Sequence, residues 1–120
     1  MNWIVLGALG GALSVIAGAF GAHGLASRLG PRELDLWETA SRYLMYGSLA
    51  LVLVGLFGQA GARRVDASGW CLLAGSLIFS GTVFGLALGG PRWLGAITPI
   101  GGTLLIAGFL LFAWAALPRS

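Results

Sequence analysis

Hydrophobic and polar positions alternate along this chain in long blocks rather than in single residues. Residues 1–22, 43–62, 67–91 and 93–118 carry no acidic or basic side chain, and the charged positions fall between these blocks. A helix rises 1.5 Å per residue, so the roughly 30 Å hydrocarbon core of a bilayer needs about 20 residues. Each block meets that length, and the pattern predicts four membrane-spanning helices.

Local signals set their bounds. Gly30-Pro31-Arg32-Glu33 reads as a helix start, because proline suits the first helical position and an acid in the first turn suits the helix dipole. The helix that follows runs over 31–58, about 42 Å at 1.5 Å per residue, so its first three turns stand in the membrane interface. Trp37 and Tyr43 fit that zone, where amphipathic aromatic rings settle. Gln59 to Ser68 forms a polar turn, and Gly89-Gly90-Pro91-Arg92 ends the third helix in glycine followed by proline. Thr98-Pro99 reads as cap and first residue of the fourth. The expected helices are 2–24, 31–58, 67–89 and 98–117. Tight connections make neighbours antiparallel, so the expected fold is all-α: one transmembrane domain over 1–120, a membrane-embedded antiparallel four-helix bundle.

Small residues suggest which faces touch. Gly7, Gly11, Ser14, Gly18 and Gly21 recur at spacings of four and three, along one helix face. Gly81, Gly85 and Gly89 repeat the GxxxG pattern of close helix contact in membranes. Helices one and three are therefore the expected tight pair. Gly7, Gly11, Gly18, Gly81, Gly85, Gly101 and Gly102 are the candidates for close packing. An offset of 64 aligns Leu9, Gly11, Leu13, Phe20 and Gly21 with Leu73, Gly75, Leu77, Phe84 and Gly85, a faint sign of two related hairpins.

Composition agrees with the membrane reading: 58% of residues are hydrophobic, 9% are charged, and mean hydropathy is +0.90. Ordinary soluble domains carry about 25% charged residues. The first block is expected to be a retained span rather than a signal peptide. Although Ala19-Phe20-Gly21 resembles a cleavage site, no basic residue precedes the apolar run. Cys71 has no second cysteine to pair with and reads as a packed or lipid-facing thiol. The net charge of +3 comes from scattered arginines rather than a basic stripe, which excludes a nucleic-acid footprint. Arg63, Arg64 and Arg119 on one side nearly balance Arg28, Arg32, Arg42 and Arg92 on the other. Both termini are expected in the cytoplasm.

The stretches GAFGAHGL (18–25), ETASRY (38–43), FSGTVFGLAL (79–88) and GAITPIGG (95–102) resemble a family of small integral membrane proteins of unknown function. That family includes bacterial inner-membrane members and the eukaryotic transmembrane protein 256. The resemblance covers nearly the whole chain and implies four helices in a bacterial inner (plasma) membrane, with no established activity. In the family, Arg-Tyr is often followed by glutamine or histidine and, three residues later, by another histidine. Here those places hold Leu44 and Gly47, so a role resting on that second histidine is not carried by these residues.

Alternating spans bring the end of helix one, the start of helix two, the end of helix three and the start of helix four to one side. His23, Glu38, Arg42, Tyr43 and Thr98 are the expected polar cap there. His23 is expected to hydrogen-bond a loop carbonyl or Glu38, and Glu38 to pair with Arg42 four residues on. The bare Gly101 and Gly102 beside the first N–H groups of helix four offer room for an anion or a partner's carbonyl. One histidine and scattered carboxylates make a poor metal set. No nucleophile motif accompanies them, so neither an enzyme nor a cofactor is expected. The leading expectation is an accessory or structural bundle that binds another membrane protein or lipid. Its partners are then the bilayer and a larger membrane complex or a homo-oligomer. The alternative is a small-solute transporter or oligomeric pore, although no ionisable group sits at mid-span.

Overall fold

The computed structural model describes residues 2–61 and 64–118. Arg63 and Arg119, which enter the arginine balance, lie outside the described residues. Helix α1 spans Trp3–Phe20 and continues into a π-helical turn, Gly21–Leu25; α2 spans Pro31–Ala60, α3 Asp66–Ala87 and α4 Leu94–Ala115. All four are long and apolar enough to cross a membrane, at 23 residues for α1 with its π turn, then 30, 22 and 22. The shortest is about 33 Å long at 1.5 Å per residue.

The ends of these helices follow from specific residues. The Asn2 side chain caps α1 by accepting from the Val5 N–H at 3.2 Å. Pro31 opens α2 behind an extended Gly30. At the end of α3, Gly89 adopts φ +87°. The Gly90 N–H then reaches the Gly85 carbonyl at 2.8 Å and the Gly89 N–H the Leu86 carbonyl at 3.1 Å. This pair of bonds is a Schellman closure, and the left-handed residue it requires is why glycine stands at position 89.

The fourth helix begins earlier than its sequence signals suggest. Backbone bonds from Leu94, Gly95 and Ala96 to the carbonyls three residues back open α4 in a tight turn. Pro99 therefore lies inside the helix rather than at its start. Proline is tolerated there because membrane helices compensate for the lost backbone bond locally. Thr98 is correspondingly not a cap. Its hydroxyl lies 2.9 Å from the Leu94 carbonyl and 2.7 Å from the Thr82 hydroxyl of α3.

The helices form an antiparallel bundle in which each packs chiefly on its neighbours in the chain: α1 on α2, α2 on α3, and α3 on α4. The tight pairing expected between helices one and three is replaced by this serial order. Glycines set the spacing at each seam. A Cβ on Gly7 would lie 2.5 Å from the Ser48 carbonyl oxygen and 2.8 Å from the Val52 nitrogen, so the α1 and α2 backbones nearly touch. Gly75 would place one 2.7 Å from the Leu105 nitrogen, and Gly101 has no room for one against the Phe79 backbone. Gly47 is closed off by the Ser76 hydroxyl. Small residues permit this proximity, and dispersion between backbones then holds the helices together where lipid removes the hydrophobic drive.

Other expected packing glycines play no such part. Gly18 and Gly81 face open space, with no atom within 4 Å of an added Cβ. Gly11 and Gly102 would gain only ordinary contacts at 3.8 Å, and Gly85 would meet a mobile Leu94 methyl at 2.8 Å. The GxxxG spacing marks a helix face, but a glycine on that face matters only where a second backbone approaches it.

The core divides in two. One cluster centres on Trp3, Leu51, Val54, Leu72 and Leu105, toward the end of the bundle where α1 starts and α4 ends. The other joins Leu25, Trp37 and Ala87 at the opposite end.

Candidate functional site

The GAFGAHGL stretch forms the joint between α1 and α2, and Trp37 is its centre. Trp37 is only 9% exposed, its ring packed inside the bundle. Its indole Nε1–H donates to the Ala17 carbonyl oxygen at 2.7 Å. That oxygen also receives the Gly21 N–H and has two lone pairs for the purpose. Gly21 must be bare for this to happen, since a Cβ there would fall 2.5 Å from Trp37 Cδ1. Gly24 likewise leaves room for the Phe20 ring, which its Cβ would meet at 2.7 Å. The glycine spacing therefore receives aromatic rings on a widened π-helical turn. Such turns are rare inside helices and often mark functional sites.

A second bond repeats the connection deeper in the membrane. The Ser14 hydroxyl donates to the Ser41 carbonyl at 2.6 Å, and the Ser41 hydroxyl donates back to the Trp37 carbonyl at 3.0 Å. Ala17 with Trp37 and Ser14 with Ser41 form two rungs between antiparallel helices. Trp37 also meets Phe84 of α3 edge-on, with ring centroids 4.5 Å apart, and Phe20 at 6.2 Å. One indole thus ties three spans to the π turn. Edge-to-face pairs of this kind each contribute about 0.5–1.5 kcal/mol beyond the area they bury.

The charged groups expected to form a cap are arranged around this joint without entering it. His23 projects from the π turn into the exposed surface, and its side chain makes no hydrogen bond or ion pair with another described residue. It therefore bonds neither a loop carbonyl nor Glu38 among the described residues. Arg42 Nη2 stands 3.5 Å from Glu38 Oε2, with side chains 58% and 60% exposed. In water such a pair contributes roughly 0.2–0.5 kcal/mol. Tyr43 packs its ring on Tyr46 at 5.3 Å and Phe79 at 4.8 Å. Thr98 is engaged with Thr82 between α3 and α4. Glu38 and Arg42 therefore meet, while His23 and Thr98 stand apart from them.

Among the described residues, no three His, Cys, Asp or Glu side chains come close enough to share a metal ion. Gly101 is closed by Phe79, so it offers a backbone seam rather than an anion cradle. Among the described residues, the buried hydroxyls Ser76 Oγ and Ser80 Oγ find no hydrogen-bond partner. Both lie in α3, with Ser76 against Gly47.

Comparison with known proteins places these features in a family. A UPF0382 membrane protein of Staphylococcus epidermidis is 45% identical over 115 residues, covering 96% of this chain and 94% of the relative. A UPF0382 membrane protein of Staphylococcus haemolyticus is 47% identical over 109 residues, 91% and 89% of the two chains. One from Staphylococcus aureus is 43% identical over the same coverage. No solved structure matches the chain. Residues 17–102, from the carbonyl that Trp37 grips to the α4 glycines, match the model described as "Protein of unknown function (DUF423)". The chain belongs to this family of unknown function and is a multi-pass membrane protein.

Proposed function

We propose that the protein is an accessory or structural component of a bacterial plasma membrane, a compact bundle that binds another membrane protein or lipid and has no catalytic role. Its termini lie on one side of the membrane, taken here as the cytoplasmic side. The observation that carries the reading is the division of labour at the GAFGAHGL joint. Buried Trp37 and its rungs hold α1, α2 and α3 in place, while His23, Glu38 and Arg42 remain exposed beside it. A rigid base with outward polar groups suits recognition, which gains when the groups are pre-positioned. The spans contain no acidic or basic side chain over 43–60, 67–87 or 94–115. Proton-coupled transport calls for such a group inside the membrane.

The test is gentle detergent extraction of the tagged protein from native membranes, with mass identification of what stays bound. The expected result is a defined partner or lipid at stoichiometric level. A His23→Ala, Glu38→Lys, Arg42→Glu variant should lose a protein partner while unfolding at the same temperature as the unmodified chain. Recovery of the protein with neither a partner protein nor lipid retained contradicts the reading and favours transport or a pore.

A further inference from the structure

At the end opposite the Trp37 joint, an open cavity of about 500 Å³ lies between the starts of α1 and α3 and the end of α2. This is within the roughly 300–1,000 Å³ range of small-molecule sites. Among the described residues, its polar lining comes from Arg64, Asp66, Asn2 and Gln59: one guanidinium, one carboxylate and two primary amides. Trp3 and Ile4 supply an apolar wall. These residues stand where three membrane spans begin or end, so the cavity opens at headgroup level.

The two charges are available for a ligand. Arg64 makes no ion pair with another described residue. Asp66 Oδ1 accepts the Trp3 indole N–H at 3.3 Å, which orients the carboxylate, and Oδ2 has no partner among the described residues. Trp3 is itself held, only 3% exposed, with its ring against Gly69 and edge-on to Trp70 at 5.3 Å. A cation and an anion lining one cavity match a ligand that carries both charges a short distance apart. A guanidinium binds a phosphodiester through paired N–H donors, and a carboxylate takes a primary ammonium. A phosphoglycerol headgroup would satisfy Arg64 but leave Asp66 beside a ligand with no cation. A choline headgroup has no N–H to donate.

We propose that this cavity binds the phosphoethanolamine headgroup of a membrane phospholipid, with the phosphate at Arg64 and the ammonium at Asp66. The assignment rests on the lipid-binding arm of the reading above.

The experiment is native mass spectrometry of the full chain purified in detergent. Phosphatidylethanolamine, phosphatidylcholine and phosphatidylglycerol with the same acyl chains are titrated separately. One phosphatidylethanolamine should be retained about tenfold more tightly than either of the others, the size of one charge-assisted hydrogen bond. Arg64→Gln should weaken binding of all three. Asp66→Asn, which keeps an oxygen for the Trp3 indole, should bring phosphatidylethanolamine down to the level of phosphatidylcholine without lowering the unfolding temperature. Equal retention of the three lipids, or unchanged selectivity in Asp66→Asn, overturns the proposal. Displacement of the lipid by an equal concentration of free phosphoethanolamine overturns its assignment to a lipid. No partner protein is present in this measurement, so its failure and the failure of partner co-purification are separate results.

Discussion

The indole N–H of Trp37 and the carbonyl oxygen of Ala17 are joined at 2.7 Å across the α1–α2 seam. The carbonyl lies one turn before the π-helical segment, and the indole rests where Gly21 has no side chain. The hydrogen bond, the π turn and the glycine therefore make one device, with the aromatic contact to Phe84 extending it to α3.

Trp37→Phe should remove the hydrogen bond while keeping most of the ring packing. The expected loss is about 0.6–1.7 kcal/mol, the range from mean to maximum for hydrogen bonds between membrane helices. Trp37→Ala also removes the ring from its pocket and should cost about 3–5 kcal/mol by analogy with buried aromatic deletions. Thermal or denaturant unfolding in one detergent reads both, and equal stability of the Phe and Ala variants would show that the ring contributes nothing.

Glycine substitutions should divide by location rather than by motif. Gly7→Ala drives a methyl into the α2 backbone and should destabilise by roughly 1–3 kcal/mol, the usual cost of overpacking. Gly81→Ala enters open space and should be neutral or stabilise by roughly 0.5–1 kcal/mol, since alanine suits a helix better. Compared by unfolding in the same detergent, Gly7→Ala should unfold earlier than the parent and Gly81→Ala no earlier.

A parallel contrast holds for the buried serines. Ser14→Ala loses its bond to the Ser41 carbonyl and should cost about 0.6 kcal/mol. Ser76→Ala removes a buried hydroxyl that has no partner among the described residues. An unsatisfied buried polar group costs about 1–3 kcal/mol, so this variant should be at least as stable as the parent. Unfolding midpoints measured side by side decide the matter.

Thr82 and Thr98 should behave as a unit. Each hydroxyl has one hydrogen, yet each stands within bonding range of the other and of a carbonyl on its own helix. One donates across the seam while the other donates to its own backbone. In a double-mutant cycle, Thr82→Val and Thr98→Val should therefore cost less together than the sum of the two singles, with coupling of about 0.5 kcal/mol or more.

Much of this architecture is legible in the sequence, for reasons that particular residues make plain. Charge-free blocks long enough for a bilayer leave few alternatives to helices, and Gly89-Gly90-Pro91 announces the closure of α3. Thr98-Pro99 misleads because proline at a helix start and proline inside a membrane helix present the same dipeptide. Trp37 misleads in a similar way. An amphipathic ring near a helix start suits the headgroups, and it suits equally a buried position where its N–H finds a carbonyl. Only the carbonyl of Ala17, twenty residues earlier, distinguishes the two. Small-residue spacing identified the α1 face but not its partner, because any closely approaching backbone satisfies the same pattern. Nothing in that spacing separates Gly7, pressed on α2, from Gly18, which faces open space.

Hydrogen exchange at the indole nitrogens tests the central claim most directly. The protein, ¹⁵N-labelled at its tryptophans and held in micelles, is transferred to deuterated water. The Trp37 signal is assigned by its loss in Trp37→Phe. Trp93, 60% exposed beside the α3–α4 turn, is the internal reference. The joint described here predicts that the Trp37 indole proton persists long after that of Trp93 has gone, and that Gly21→Val, which displaces the ring, abolishes the protection. Exchange of Trp37 at the rate of Trp93 in the unmodified protein would contradict the account.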